Sequence, residues 1–293
     1  MHRHLRITSL AALAMVLGGC SPVAGDAPSG LTDPTDMVLI KAGQFDYYPA
    51  GDFLRGGNPV GPPSRHIRFE HDFQIMKRQV SQAEYAACVS EGACKKLDKS
   101  QRGAVAPNLP VVGISWRDAT AYAAWLSART GNQYRLPSYA EWVYAAGSLY
   151  KEDIVVDGAA DPNDPAQRWL IEYRQETQRK ATTDATPRPF GSFGSNAEGL
   201  SDMTGNVWDW TDTCHTRQHM DQAAGALPPA ENCGIRVVAG KHRSYISDFI
   251  RDPKGGACSV GVPPSNLGFR LVRDSTDKSG SAMQNLRSRL GIQ

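Results

Sequence analysis

Residues 236–252, "RVVAGKHRSYISDFIRD", place much polar chemistry in one short run. An imidazole close to a carboxylate suits proton transfer or a borderline metal ion, and a nearby thiol would add a soft ligand. Trp208 is a candidate wall for such a pocket. The candidate catalytic groups are His242, Tyr245, Asp248 and Cys258.

The same run also supports a purely structural interpretation. Its charged residues could form ion pairs with one another or with other acids and so hold an irregular loop in place. These residues are Lys241, Arg243, Arg251, Asp248 and Asp252. Residue types alone leave both interpretations open, and His242 is the first candidate for a functional role.

A second informative segment is "GLSDMTGNVWDWTD", residues 199–212. On an extended chain Trp208 and Trp210 share one face and Asp209 takes the other. Asp202, Asp209 and the backbone carbonyls between them could surround calcium, which takes six to eight oxygen ligands. The alternative is a tryptophan-rich core turn in which the carboxylates are satisfied by hydrogen bonds and bind no metal.

The N-terminus has the features of an export signal. Basic residues precede an apolar run, residues 7–17, which is too short to span a membrane, and "LGGC" follows. We predict a signal peptide at 1–20, a lipid-modified Cys20 and a flexible tether at 21–36. Ser21 after the cysteine favours the outer membrane, with the protein on the periplasmic side and the lipid as its only membrane contact.

Composition indicates one ordinary folded domain. The chain is 41% hydrophobic and 21% charged with a formal net charge of +2, and it has no basic block, so nucleic acid is not an expected partner. Without a repeat or a break in composition, we assign one domain to 37–274. A polar stretch at 151–189 is interpreted as a surface insertion, and 275–293 as a polar tail.

Five cysteines remain beside Cys20, in a compartment where disulfides persist. Cysteines close in sequence can close small loops, and the two local pairs are Cys88–Cys94 and Cys214–Cys233. Connectivity cannot be deduced from sequence, and this arrangement leaves Cys258 unpaired.

Local patterns predict three helices and several short strands. Helices are expected from Ser81, from "SWRDATAYAAWLSART" up to Gly131, and after Ser138, where Glu141 would complete a capping box. Strands are expected in "MVLIKAGQF" and "HIRFEHDFQI". From Phe190 onward we expect little regular structure.

Four blocks carry a family resemblance: "MVLIKAGQF", "RLPSYAEW", "GNVWDW" and "SNLGFRLVRD", in this order. Together they resemble the sulfatase-modifying-factor family, whose best known members are formylglycine-generating enzymes. The resemblance covers nearly all of 37–274. One departure is Ser138-Tyr139, where the family usually has Thr-Glu.

The resemblance implies an α+β fold in a single domain of low regular secondary structure, related to C-type lectins and supported by calcium. It places the family's calcium ligands on Asp202, the carbonyls of Gly205 and Val207, and Asp209. A second calcium site of the family falls in the polar insertion, where no ligands can be matched.

In the formylglycine-generating enzymes, two cysteines near the end of the domain bind copper and oxidise a substrate cysteine. An ungapped alignment from the start of the 236–252 run places these cysteines at Tyr245 and Ile250. An alignment on "HRSY" places them at Lys241 and Ile246. Soft copper(I) has no thiolate pair in either register, so the formylglycine reaction by that route is expected to be absent.

Two classes of function follow from the resemblance. Relatives without the cysteine pair include a factor linked to pyoverdine maturation and accessory proteins encoded beside periplasmic nitrite reductases. We therefore expect a periplasmic maturation or accessory factor, or an oxidoreductase with a copper or iron site, acting on a protein or peptide-like substrate such as an exported reductase. The alternative is a non-catalytic, lectin-like binding module. Whether the chain is an enzyme stays open.

Overall fold

In the part of the chain that the structure describes, six strands, three α-helices with one short strand between the second and third, and five further strands follow one another in a sheet-rich fold of the α+β class, as expected. The computed structural model describes residues 36–98, 105–151, 186–221, 228–253 and 266–274. Within these ranges no helix is long and apolar enough to cross a membrane. The predictions for Cys20, Cys258, the signal peptide, nearly all of the tether, most of the insertion and the tail fall outside the described residues.

The three predicted helices are confirmed, and each starts in the same way. They are α1 (Gln82–Ser90), α2 (Trp116–Thr130) and α3 (Tyr139–Ala146). A serine caps each first turn, and the acid three residues later accepts a hydrogen bond from the serine's backbone N–H; the pairs are Ser81/Glu84, Ser115/Asp118 and Ser138/Glu141. Each cap stabilises its helix by about 1 kcal/mol.

The strands form three sheets. Their bounds are β1 (Met37–Ile40), β2 (Gly43–Tyr47), β3 (Asp52–Arg55), β4 (Asn58–Val60), β5 (Arg65–Phe69), β6 (Phe73–Met76), β7 (Tyr134–Arg135), β8 (Trp208–His219), β9 (Ala230–Ala239), β10 (Ser244–Ser247), β11 (Leu267–Gly268) and β12 (Val272–Asp274). One sheet has the order β1-β6-β12-β7 and a second β10-β9-β8-β3-β4, with β11 also on β8. In the third, β2 pairs with β5.

The expectation of little regular structure after Phe190 is wrong. β8, with 12 residues, and β9, with 10, are the longest strands described, and they pair antiparallel. Glycines and asparagines in this part of the sequence suggested loops. Burial on pairing decides the outcome instead, because the side chains of Trp210 and Val238, which are paired in register, are both fully buried.

Both predicted disulfides are confirmed. Cys88–Cys94 closes a short loop at the end of α1, and Cys214–Cys233 joins β8 to β9. The register of the β8–β9 ladder shifts beside Cys214. The second bridge therefore fixes the pairing of the two strands where their hydrogen-bond ladder is irregular.

The core attaches α3 to the sheets. Trp142 and Ala146 share a buried cluster with Val237 and Ala239 of β9 and Val272 of β12. The indole of Trp142 is hydrogen-bonded to Asp209 in the first residues of β8, where the "GNVWDW" block lies. The fold thus brings the family-like blocks together from segments far apart in sequence.

Candidate functional site

The 236–252 run folds as a β-hairpin. β9 and β10 pair antiparallel, and residues 240–243 form the turn between them. A Cβ added to Gly240 would lie 2.8 Å from two ring atoms of Trp208. Gly240 is therefore required because the indole of Trp208 packs directly on the backbone of the turn.

The fold brings His242 and Trp208 together. The two ring centroids are 5.1 Å apart, in an edge-on arrangement, and His242 is only 6% exposed. The backbone carbonyl of His242 accepts a hydrogen bond of 2.9 Å from Nε1 of Trp208. These contacts make His242 part of the support of the hairpin turn.

Tyr245 and Asp248 lie in other contacts of the hairpin. The Tyr245 hydroxyl accepts a 2.8 Å hydrogen bond from the backbone N–H of Gly51, and its ring meets that of His215 edge-on at 5.0 Å. Asp248 accepts two hydrogen bonds from Arg117 of α2, at 2.9 and 3.1 Å. Each of these groups holds the hairpin to a neighbouring element.

Arg251 adds a two-point ion pair to α2. Its Nε and Nη2 donate to the two carboxylate oxygens of Asp118 at 2.7 and 2.8 Å, and Nη1 reaches Asp98 at 3.1 Å. Burial acts to raise the pKa of Asp118, but the hydrogen bonds from Arg251 and Ser115 outweigh it and hold that pKa below its ordinary value. Asp118 therefore stays ionised and paired at neutral pH.

The described contacts agree with the structural interpretation of this run. His242 packs on Trp208, whereas Tyr245 is fixed to the Gly51 backbone and Asp248 to Arg117. Their catalytic roles stay predictions, and Cys258 lies outside the described residues.

Sequence reasoning missed a histidine beside Tyr245. Nε2 of His215 lies 3.4 Å from the Asp52 carboxylate, and Nη2 of Arg217 lies 3.2 Å from the same oxygen. The alternation of His215 and Arg217 on β8 indicates that both face one side of the sheet. Their partner on β3 could not be found without the parallel β3–β8 pairing.

Asp209 lies at the centre of a buried polar cluster. Its Oδ2 accepts a 2.6 Å hydrogen bond from Nε of Arg270 and a 2.9 Å bond from Nε1 of Trp142. Asp209 and Arg270 are both fully buried. Burial raises the pKa of Asp209, and the Arg270 charge opposes that change. Nη2 of Arg270 also donates to the carbonyl of Ser201 at 3.0 Å.

Asp202 fixes the preceding loop. It has a left-handed backbone with φ of 55°, and its two carboxylate oxygens accept the N–H groups of Gly191 at 2.6 Å and Phe193 at 2.8 Å. The ring of Phe193 lies where a side chain at position 205 would start, within 2.3 Å of a Cβ placed on Gly205. Only glycine fits there.

These contacts fit the expected calcium ligand set poorly. Backbone donors occupy both oxygens of Asp202, and Arg270 already neutralises Asp209. One feature points the other way: Oδ1 of Asp209 has no hydrogen-bond partner among the described residues, although the amide of Gln79 is close. Calcium on Asp202, Gly205, Val207 and Asp209 stays a prediction.

Side-chain ligands for a transition metal are equally sparse in the described ranges. There, the one group of three close His, Cys, Asp or Glu ligand atoms comes from Cys214, Glu231 and Cys233. The two cysteines are joined in a disulfide, so they offer no thiolate.

Family comparison agrees with the blocks that the fold brings together. Residues 24–275 match the model of the family described as "Sulfatase-modifying factor enzyme 1-like domain". The chain belongs to this family. The sulfatase-modifying-factor domain thus accounts for β1 to β12 and for all three helices.

Among curated proteins, the relatives include formylglycine-generating enzymes. That of Thermomonospora curvata is 34% identical, over 89% of this chain and 93% of the relative. That of Streptomyces coelicolor is 33% identical, over 61% of this chain, and the match spans only 57% of the Streptomyces protein.

Among solved structures, PvdO from Pseudomonas aeruginosa has the same fold. It superposes with a TM-score of 0.53 at 24% identity, over 83% of this chain and 97% of PvdO. At this identity the similarity concerns the sulfatase-modifying-factor fold alone.

Proposed function

We propose that the protein is an exported maturation or accessory factor of the cell envelope, anchored by a lipid on Cys20, which acts on a protein or peptide-like substrate without copper–thiolate chemistry. Family membership supplies the fold, and the relatives of the chain include formylglycine-generating enzymes. The observation that carries the proposal is the composition and packing of the 236–252 hairpin.

In both alignments, the positions of the family's copper-binding cysteines hold other residues. Lys241, Tyr245, Ile246 and Ile250 offer no thiol. Ile246 is 1% exposed in the core, and the hydroxyl of Tyr245 is fixed on the Gly51 backbone. In each register one of the two positions is therefore built into the packing of the hairpin, which supports a changed chemistry rather than a copper(I) site between two thiolates.

The deciding experiment combines a reaction assay with metal analysis. The purified protein is incubated with a sulfatase-derived cysteine peptide, oxygen and copper, and the peptide is examined by mass spectrometry for formylglycine. We expect no conversion. Stoichiometric formylglycine formation would overturn the proposal, because the proposed protein lacks the cysteine pair on which the copper–thiolate route to this product depends.

Metal content separates an oxidoreductase from a non-catalytic factor. The protein is loaded with calcium, copper, iron or zinc and dialysed, in parallel with a His242→Ala variant. Near-stoichiometric copper or iron that disappears in the variant would support an oxidoreductase centred on His242. Equal, low copper and iron contents in both proteins would favour the lectin-like binding module. The observation that supports this alternative is that Asp248 and Arg251 of the hairpin are already bound to charged partners on α2.

Export and anchoring have their own test. A Cys20→Ser variant, expressed in a bacterium fed labelled palmitate, is expected to lose both the label and membrane association. Label retained in the variant would contradict the proposed lipidation site.

A further inference from the structure

A cavity of about 620 Å³ lies at the edge formed by β1, β2 and the end of α3. Its lining is rich in aromatic rings, namely Phe45, Tyr47, Tyr48, Tyr144 and Tyr150. None of the lining residues belongs to the 236–252 hairpin or to the "GNVWDW" block. The cavity therefore lies beside the hairpin and not within it; Arg243 of the hairpin donates to the backbone carbonyl of Tyr48 at 3.2 Å.

Three of these rings form a connected aromatic wall. The centroid of Phe45 lies 5.3 Å from that of Tyr47 and 5.0 Å from that of Tyr144. The Tyr144 hydroxyl donates to the carbonyl of Lys41 at 3.2 Å, which fixes its ring beside β1. Ring faces carry partial negative charge, so a wall of this kind attracts organic cations.

The charged groups of the lining leave a negative excess. Lys41 pairs with Asp72 at 3.0 Å, and Asp46 lies 3.0 Å from the ring of His66. Within the described ranges, no hydrogen bond or ion pair involves the third acidic or basic lining residue, Glu198. Its carboxylate is thus available to a ligand.

The end of α3 adds to the negative electrostatic potential of the cavity. Gly147, with φ of 58°, follows the last residue of the helix and lines the cavity. A Cβ placed on Gly147 would lie 3.8 Å from Oε2 of Glu198. The C-terminus of a helix carries partial negative charge, so it and Glu198 act in the same direction.

We propose that this aromatic cavity binds an organic ammonium ion, with Glu198 as its counter-charge and the tyrosine rings around its alkyl groups. An alkylammonium group joins a positive charge to apolar methyl or methylene surface, and the cavity offers partners for both. A neutral sugar would leave the carboxylate charge unused. The ammonium group can belong to a free small molecule or to a lysine side chain of a peptide.

The test is calorimetric titration of the purified protein with choline and with its uncharged isostere 3,3-dimethylbutan-1-ol. We expect choline to bind about tenfold more tightly, as for a cation over aromatic faces with one carboxylate. A trimethyllysine peptide in a parallel titration distinguishes the two sources. Binding of the peptide but not of choline would support the peptide-borne cation.

Variants assign the binding to this cavity. Glu198→Gln is expected to weaken binding of the cation about tenfold and to leave binding of the isostere unchanged. Tyr48→Leu keeps apolar volume but removes a ring, and is expected to weaken cation binding about threefold. Glu231→Gln, a matched change of an exposed acid outside the cavity, should have no effect. A thermal melt of each variant confirms folding.

Three results would overturn the proposal. They are equal affinity for choline and its isostere, no binding of either choline or the peptide, and binding of a neutral sugar that is insensitive to Glu198→Gln. None of them depends on the chemistry of the hairpin, so this test is independent of the proposed function.

Discussion

The 236–252 hairpin and the aromatic cavity differ in a way that their sequences do not reveal. The hairpin is crowded with charged residues, and Asp248 and Arg251 are bound to partners on α2. The cavity is lined mainly by rings, but its Glu198 has no ion pair or hydrogen bond in the described part of the chain. A high density of polar residues in a sequence can therefore mean only that these residues hold a loop in place through ion pairs and hydrogen bonds. An unpaired group that faces a cavity is better evidence for binding.

The strongest test of the view that paired charges are structural is Arg270→Met. It leaves Asp209 buried without a counter-charge, and we expect a loss of about 3–5 kcal/mol, by the order of magnitude for broken buried pairs. Urea unfolding measures the change. A double variant, Arg270→Met with Asp209→Leu, should regain much of this stability. If the single variant lost less than about 1 kcal/mol, the buried pair would not be holding the core.

The Arg251–Asp118 pair gives a smaller, pH-dependent effect. The folded pKa of Asp118 is lowered, so its stabilising contribution is present above the unfolded pKa of about 3.9 and is lost as the pH falls through the folded value. Arg251→Gln should cost about 2 kcal/mol at pH 7. Urea melts between about pH 7 and pH 2.5 should show the difference shrinking towards acid. A constant difference would mean that lost packing, rather than charge, explains the effect.

The variant His242→Ala tests whether the hairpin is only structural. If His242 only supports Trp208, the variant should lose about 1–2 kcal/mol of stability from lost packing. His242→Gln, which keeps more volume, should lose less. Near-normal stability together with loss of a bound redox metal or of biological activity would show that the hairpin contains a functional centre.

The smallest effect is expected from removal of calcium. Because Arg270 neutralises Asp209 and backbone donors hold Asp202, EDTA should move the melting temperature by no more than about 1 °C. The matched sample contains excess calcium. A large fall with EDTA that calcium but not magnesium reverses would establish the predicted site, with Oδ1 of Asp209 as its first ligand.

Local signals predicted a useful part of this fold. Ser81 and Ser138, the latter with Glu141 three residues later, identified two helix starts, and Gly131 identified a helix end. These features act within one turn of chain, so sequence suffices. The short sequence separations of the cysteines likewise indicated both disulfides.

Contacts between distant segments explain what sequence reasoning missed. The pairing of Asp209 with Arg270 joins two distant parts of the chain, and His215 meets Asp52 only through a parallel strand pair. Tyr48, Tyr144 and Glu198 carry no common motif, so nothing in their spacing indicated a cavity.

The position of β8 in its sheet has a consequence for the order of folding. β8 pairs antiparallel with β9, but its two parallel partners, β3 and β11, come from well before and well after it in the chain. The β8–β9 hairpin can form early because its loop is short, whereas the parallel pairs require closure of long loops. During synthesis, the edge of β8 at Trp208 and Asp209 that faces away from β9 therefore stays open to other strands until residues 267–268 have emerged, which makes this edge the segment that a chaperone would need to protect.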